Sequence, residues 1–193
     1  MREYGTSAMV ALANEMGFFP TRYWSEGALD GWQKIGPDSV KKILVRPHAC
    51  WNCPIACGRY VRMNTNWGMV EMDGLEYETI YALGGLIGVD DLGGLLYLNY
   101  LADDLGMDTI SLGNVIGLCI EASRRGLIKT DVDYGDVGNI VNLVKFIAYR
   151  KGIGNILAEG VARAAKSLGL EEIAIHVKNL EPAGYDPRIL KSM

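Results

Sequence analysis

Between Thr109 and Arg124 the apolar residues Leu112, Val115, Ile116, Cys119 and Ile120 recur every three or four positions, a single stripe that predicts a helix. The same spacing returns over Asn139–Arg150, through Ile140, Val144, Ile147 and Ala148, and over Ile156–Leu168, which Gly169 closes. Thr6–Met16 reads as an earlier helix, with Ala8, Leu12 and Ala13 apolar and Gly17 as its stop. Leu92–Leu105 is apolar on most faces and is expected to be largely buried. Glu78–Ile87 is similar but is interrupted by Gly84-Gly85. A short helix is expected after Pro37-Asp38, ending before Pro47, because proline restricts the residue ahead of it.

Two stretches carry strand patterning. Arg59–Met63 and Met69–Met72 flank the polar tip Asn64-Thr65-Asn66-Trp67-Gly68 and predict a β-hairpin. Ile173–Val177 reads as a further short strand. Phe18–Trp24 is an aromatic loop too bulky to be left in water. The expected fold is mainly α: a helical domain with a small β-hairpin, in one compact unit without repeats or long linkers.

Composition narrows the function classes. The chain has 193 residues, 49% hydrophobic and 22% charged, enough for a full core. A formal charge of −4 argues against a nucleic-acid binder, which needs clustered cations. No run of eighteen apolar residues marks a membrane span, and the N-terminus lacks the apolar stretch of a secretory signal. The expected setting is cytoplasmic, where four cysteines are thiols rather than a disulfide framework.

Three of those cysteines fall together, in Cys50-Trp51-Asn52-Cys53-Pro54-Ile55-Ala56-Cys57. Thiolates at this spacing fit an iron–sulfur cluster, which normally takes four protein sulfurs. Trp51, Pro54, Ile55 and Ala56 would form an apolar collar limiting solvent access. Zinc is the competing reading, with His48 nearby, although zinc prefers paired Cys-x-x-Cys units or a histidine partner. Structural thiols are the third. Radical-generating SAM enzymes use the reversed spacing. Cys119 could supply a fourth sulfur, but its place on the apolar stripe favours core packing. The remaining ligand is then expected outside this chain.

Two acidic motifs have both structural and chemical readings. In Asp103-Asp104-Leu105-Gly106-Met107-Asp108, Gly106 ends one helix while Asp108 or Thr109 caps the next. The same turn could present amides and carboxylates to a polar heterocycle. In Glu76-Tyr77-Glu78-Thr79 the acids suit a helix first turn, and a carboxylate beside a buried metal could move protons. His48 and His176 have no spacing partner and read as surface or capping residues.

Taken in order, these pieces resemble the tungsten- and molybdopterin-dependent aldehyde ferredoxin oxidoreductase family along nearly the whole chain. The resemblance rests on Glu3-Tyr4-Gly5-Thr6, Phe19-Pro20-Thr21-Arg22, Cys50-x2-Cys53-Pro54-Ile55-x-Cys57-x-Arg59 and Gly74-x-Glu76-Tyr77-Glu78-Thr79. It continues through Asp103-x-x-Gly106-Met107-Asp108-Thr109-x-Ser111, Leu157-Ala158-Glu159-Gly160 and Tyr185-Asp186-Pro187-Arg188. It implies that residues 1–188 form the family's middle helical domain, with 189–193 an atypical tail where the last domain would start. Cys50, Cys53 and Cys57 would ligate a [4Fe-4S] cluster, completed by a cysteine of that last domain. Asp103, Met107 and Asp108 would contact a tungsten or molybdenum bis-pterin, the aspartates through ring nitrogens and Met107 through its backbone. Glu78 would be the catalytic acid near the metal. Leu75 stands where the family often has proline, and Leu92–Ala102 lacks the acid that some members use to bridge dimers through iron.

The implied function is part of an oxidoreductase that oxidises aldehydes to carboxylic acids and passes electrons through the cluster to ferredoxin. Its partners would be the N- and C-terminal domains of the same enzyme, and the chain alone is expected to be inactive. The alternatives are an isolated remnant domain holding an incomplete cluster or zinc, or part of a benzoyl-CoA reductase-type subunit. Apolar surface left without neighbours is expected to drive self-association.

Overall fold

The structure is a computed structural model that describes residues 1–190; the last positions of the expected tail, Lys191–Met193, lie outside the described residues. Among the described residues it has eight α-helices and one three-stranded antiparallel sheet in the order β1-β2-β3. The elements run α1 (Ala8–Glu15), α2 (Pro37–Lys42), β1 (Leu44–His48), β2 (Gly58–Thr65), β3 (Gly68–Asp73) and α3 (Tyr77–Leu83). They continue with α4 (Leu92–Asp104), α5 (Thr109–Arg124), α6 (Val137–Ala148), α7 (Gly154–Leu157) and α8 (Val161–Leu168). The mainly helical fold with a small hairpin is as expected.

Helix α5 is the axis of the core. Leu112, Val115, Ile116, Leu118, Cys119 and Ile120 are all buried on it. Gly113 lets α5 lie against α3: a Cβ there would sit 2.2 Å from the Ala82 carbonyl oxygen. The polar Asn114 survives inside because its amide donates to the Tyr81 hydroxyl at 2.9 Å and accepts from Trp24 Nε1 at 3.1 Å. Helix α4 is buried along most of its length, as its all-round apolar pattern predicts. The aromatic loop is buried too, with Phe18, Phe19, Tyr23 and Trp24 at 5% exposure or less. Among the described residues no single helix is long and apolar enough to cross a membrane.

One strand was not expected, and two expectations need correction. The short helix α2 ends before Pro47, as expected, and Leu44–His48 then forms β1, with Pro47 opposite Arg59. Proline is tolerated because β1 is an edge strand whose far side has no partner among the described residues. The single helix expected over Ile156–Leu168 is two, broken at Gly160, whose φ of 83° and ψ of 167° suit glycine almost alone. Ile173–Val177 is not a strand. Only Val177 bridges, to Leu180, and the Ile175 N–H donates to the Tyr23 hydroxyl at 3.1 Å instead of to a neighbouring strand.

Candidate functional site

The clustered cysteines sit on the loop joining β1 to β2, all as free thiols. Cys50 is exposed and Cys53 and Cys57 are half-buried, whereas Cys119 is fully buried on α5. Burial pushes the Cys119 thiol up to about 11, so it stays protonated and packs as a small apolar group. The Cys53 N–H donates to the Cys50 carbonyl at 3.0 Å, and Asn52 and Ala56 adopt φ of 56° and 52°. These tight turns keep three thiols on one short stretch. Among the described residues no three His, Cys, Asp or Glu side chains converge on a single-ion position. His48 Nδ1 pairs with the Asp73 carboxylate.

The apolar collar is not closed as expected. Trp51 is 99% exposed and Ile55 is 53% exposed, because none of the described residues covers the outer face of this loop. Beneath it lies Arg59, buried to 2% exposure. Its Nη1 donates to the Gly58 and Ala56 carbonyls at 2.7 and 3.2 Å, and its Nη2 donates to the Met1 carbonyl at 2.6 Å. Its Nε is buried without a partner among the described residues.

The N-terminal segment ties this loop to the first acidic motif. Gly5, at φ 67°, approaches so closely that a Cβ would lie 2.6 Å from the Cys57 carbonyl oxygen and 3.1 Å from Arg59 Nε. The next residue, Thr6, donates its hydroxyl to the Glu76 carboxylate and accepts the Tyr77 N–H at 2.9 Å. Strand pairing closes the same corner, with the Gly74 N–H donating to the Arg59 carbonyl at 2.9 Å. Thr6, Met9, Glu76, Tyr77, Glu78 and Tyr185 then line a cleft of about 240 Å³.

Glu78 is half-buried on the first turn of α3 and accepts the Gly184 N–H at 2.9 Å. Desolvation raises its carboxyl above the ordinary value, and the single amide only partly opposes that. Tyr77 donates its hydroxyl to the Gly184 carbonyl and Tyr81 donates to the Pro182 carbonyl at 2.9 Å. One face of α3 therefore holds the 182–185 segment along its length.

At the α4–α5 turn, Gly106 takes φ 67° and the Met107 N–H reaches back to the Ala102 carbonyl at 2.8 Å, ending α4 in a left-handed cap. That bond leaves Met107 only its carbonyl oxygen for a ligand. Asp108 caps α5, accepting the Ser111 N–H at 2.7 Å. Asp103 is different. It sits exposed in the last turn of α4, where a carboxylate opposes the helix dipole, and the surrounding protein raises its carboxyl by desolvation. Helix stability gives no reason for it. Met107, Asp108, Ser111, Leu112, Ala158 and Gly160 line part of a pocket of about 220 Å³ beside this turn.

The two acidic motifs meet. The Thr79 and Thr109 hydroxyls are 3.1 Å apart, placing Glu78 and Asp108 on neighbouring turns of α3 and α5. Glu181 adds a second tie, accepting the Ser111 hydroxyl at 3.0 Å and the Val161 N–H at 2.7 Å.

The family model described as "Aldehyde ferredoxin oxidoreductase, domains 2 & 3" matches residues 1–193. The chain belongs to the aldehyde ferredoxin oxidoreductase family. It is 38% identical over 195 residues to the tungsten-containing aldehyde ferredoxin oxidoreductase of Pyrococcus furiosus, covering 96% of this chain and 32% of that protein. The corresponding protein of Thermococcus kodakarensis gives the same identity and coverage. A relative named "Aliphatic sulfonate oxidoreductase, WOR-like subunit", also from Pyrococcus furiosus, is 29% identical over 202 residues, 97% of this chain and 32% of its own. The chain thus spans about a third of the length of these relatives. The fold is also that of the BamBC active-site complex of benzoyl-coenzyme A reductase, with a TM-score of 0.74 at 22% identity, over 95% of this chain and 29% of that one.

In this member of the family, Leu75 stands at a backbone position that proline could not occupy. Its φ is 56° and its N–H donates to Asn99 Oδ1 at 3.3 Å. Proline could adopt neither the angle nor the bond. Sequence reasoning missed Glu181, and it placed Asp186 in a motif without giving it a role. Glu181 precedes Pro182 in no helical pattern, and an acid without a helix to cap was the available signal. Asp186, 1% exposed, is bound by Arg188, whose Nη2 also donates to the Trp24 carbonyl at 2.6 Å. The Asp186 N–H donates to the Phe18 carbonyl at 3.2 Å, so the Tyr185–Arg188 motif fastens onto the two ends of the Phe18–Trp24 aromatic loop.

Proposed function

We propose that this chain is the cofactor-holding helical region of an oxidoreductase that converts aldehydes to carboxylic acids and delivers the electrons to ferredoxin. The observation that carries the reading is the meeting of separate motifs. Three free thiols, the Glu76–Thr79 acids and the Asp103–Ser111 turn are joined by direct contacts through Gly5, Thr6, Thr79 and Thr109.

Each group has a task that its setting suits. Cys50, Cys53 and Cys57 would hold three irons of a [4Fe-4S] cluster, a donor set whose chemistry fits, as does the uncompensated Arg59 beneath it. Asp103, Asp108 and the Met107 carbonyl would hold a tungsten bis-pterin from one side, the carboxylates accepting from ring N–H groups. Such groups supply two-electron oxidation of an aldehyde and single-electron relay outward. Glu78 would accept the proton lost when water adds oxygen to the carbonyl carbon. Its raised carboxyl suits that task, since burial makes it a stronger base than an ordinary glutamate. The rest of the family-length enzyme would cover the exposed Trp51 and supply the fourth thiolate.

The test is aldehyde-dependent reduction of a viologen dye by the native protein containing this chain, purified without oxygen. Turnover with tungsten present supports the reading; a tungsten-loaded protein inert to every aldehyde offered overturns it.

A further inference from the structure

A buried guanidinium without a carboxylate is expensive, costing several kcal/mol unless an anion balances it. Arg59 is in that position. It is 2% exposed, all its protein contacts are backbone carbonyls, and no acid among the described residues forms an ion pair with it. Three carbonyls take its terminal nitrogens while Nε keeps an unpaired buried proton. The carbonyls of Ala56 and Gly58 bracket Cys57, so the cation is anchored to the residues on either side of a thiol. Gly5 exists as glycine to let this happen, since a side chain there would strike both the Cys57 carbonyl and Arg59 Nε.

We infer that Arg59 is a positioning residue for the cysteine loop and that its missing counter-ion is the anionic iron–sulfur–thiolate group the loop would hold. Two consequences follow from the charge. The loop is held in shape before metal arrives, through the bonds to Ala56 and Gly58. The cation also favours the reduced, more negative state of the group, raising its reduction potential. Nearby hydrogen bonds and net charge are among the levers by which proteins set that potential.

This inference rests on the cluster reading, and one experiment separates their failures. The native protein and its Arg59→Met and Arg59→Lys variants are purified anaerobically, and iron, acid-labile sulfide and the midpoint potential are measured. Arg59→Met is expected to leave the group about tenfold more oxidised at a fixed poise, which is about 59 mV for one electron. Arg59→Lys keeps the cation and is expected to stay within about twofold of the parent ratio. A merely structural residue would change iron content without moving the potential of what remains. An unshifted methionine variant, or a lysine variant shifted as far as the methionine one, overturns the role of Arg59. If the methionine variant holds no iron, the lysine variant decides: iron at the parent potential supports the inference, and iron lost there too overturns it. A parent without iron sinks the cluster reading itself.

Discussion

The Thr79 and Thr109 hydroxyls lie 3.1 Å apart and bind together two helices that each begin with an acid, Glu78 in one and Asp108 in the other. Neither threonine faces solvent freely, and Glu78 and Asp108 immediately precede them. This contact makes the relative position of the two acids a property of the core rather than of loops. A double-mutant cycle with Thr79→Val and Thr109→Val is expected to show a coupling of about 0.5–1.5 kcal/mol in denaturant unfolding. Additive effects would mean the pair does not hold the helices in register.

Glu78→Gln keeps the shape and the acceptor oxygen for the Gly184 N–H but removes the base. It is expected to lower aldehyde oxidation by about 10²–10⁴-fold while leaving iron and tungsten contents unchanged. Because burial raises the parent carboxyl, the acid limb of kcat/KM against pH should fall above the ordinary value of 4.5, and the glutamine variant should lack that limb. An unaltered profile in the variant would remove Glu78 from the reaction.

The two aspartates of the α4–α5 turn should separate in stability. Asp108→Ala loses the cap on Ser111 and is expected to cost about 0.5–2 kcal/mol. Asp103→Ala removes a carboxylate from a helix C-terminus and should be neutral or slightly stabilising. Both substitutions should reduce tungsten retained through purification. Full tungsten in Asp103→Ala would leave that residue without a role.

Asp186 gives a stability test with a defined sign. Its carboxyl is held below the ordinary carboxylate range, first by the Arg188 hydrogen bonds. A depressed folded-state value contributes stability above the unfolded value, and that stability is lost as pH falls through the folded one. Asp186→Asn is expected to cost about 1–3 kcal/mol at neutral pH and to flatten the acid side of the stability curve. Equal acid sensitivity in the two proteins would contradict this.

Much of this architecture was readable from spacing alone. The stripe on Leu112, Val115 and Ile116 gives α5, the all-round apolar Leu92–Leu105 gives buried α4, and the aromatic loop is buried as its bulk requires. What escaped depended on long-range partners. β1 contains a proline and is a strand only because β2 lies beside it. The break at Gly160 follows from its backbone angles, and Glu181 reaches the Val161 N–H beside it from twenty residues further along the chain. The candidate site was legible as residue types, since Cys50, Cys53, Cys57, Glu78, Asp103 and Asp108 stand in recognisable motifs. Its connections were not, because the contacts of Gly5 with Cys57 and of Thr79 with Thr109 join positions remote in sequence.

The central claim is that the three loop thiols are iron ligands while the buried fourth cysteine is packing. Iron and acid-labile sulfide counted in anaerobically purified native protein, for the parent, Cys53→Ser and Cys119→Ala, test it most directly. The parent and Cys119→Ala should each carry about four iron and four sulfide per chain, and Cys53→Ser should lose at least half of both. A parent without iron, or iron that survives Cys53→Ser and vanishes in Cys119→Ala, would contradict the account.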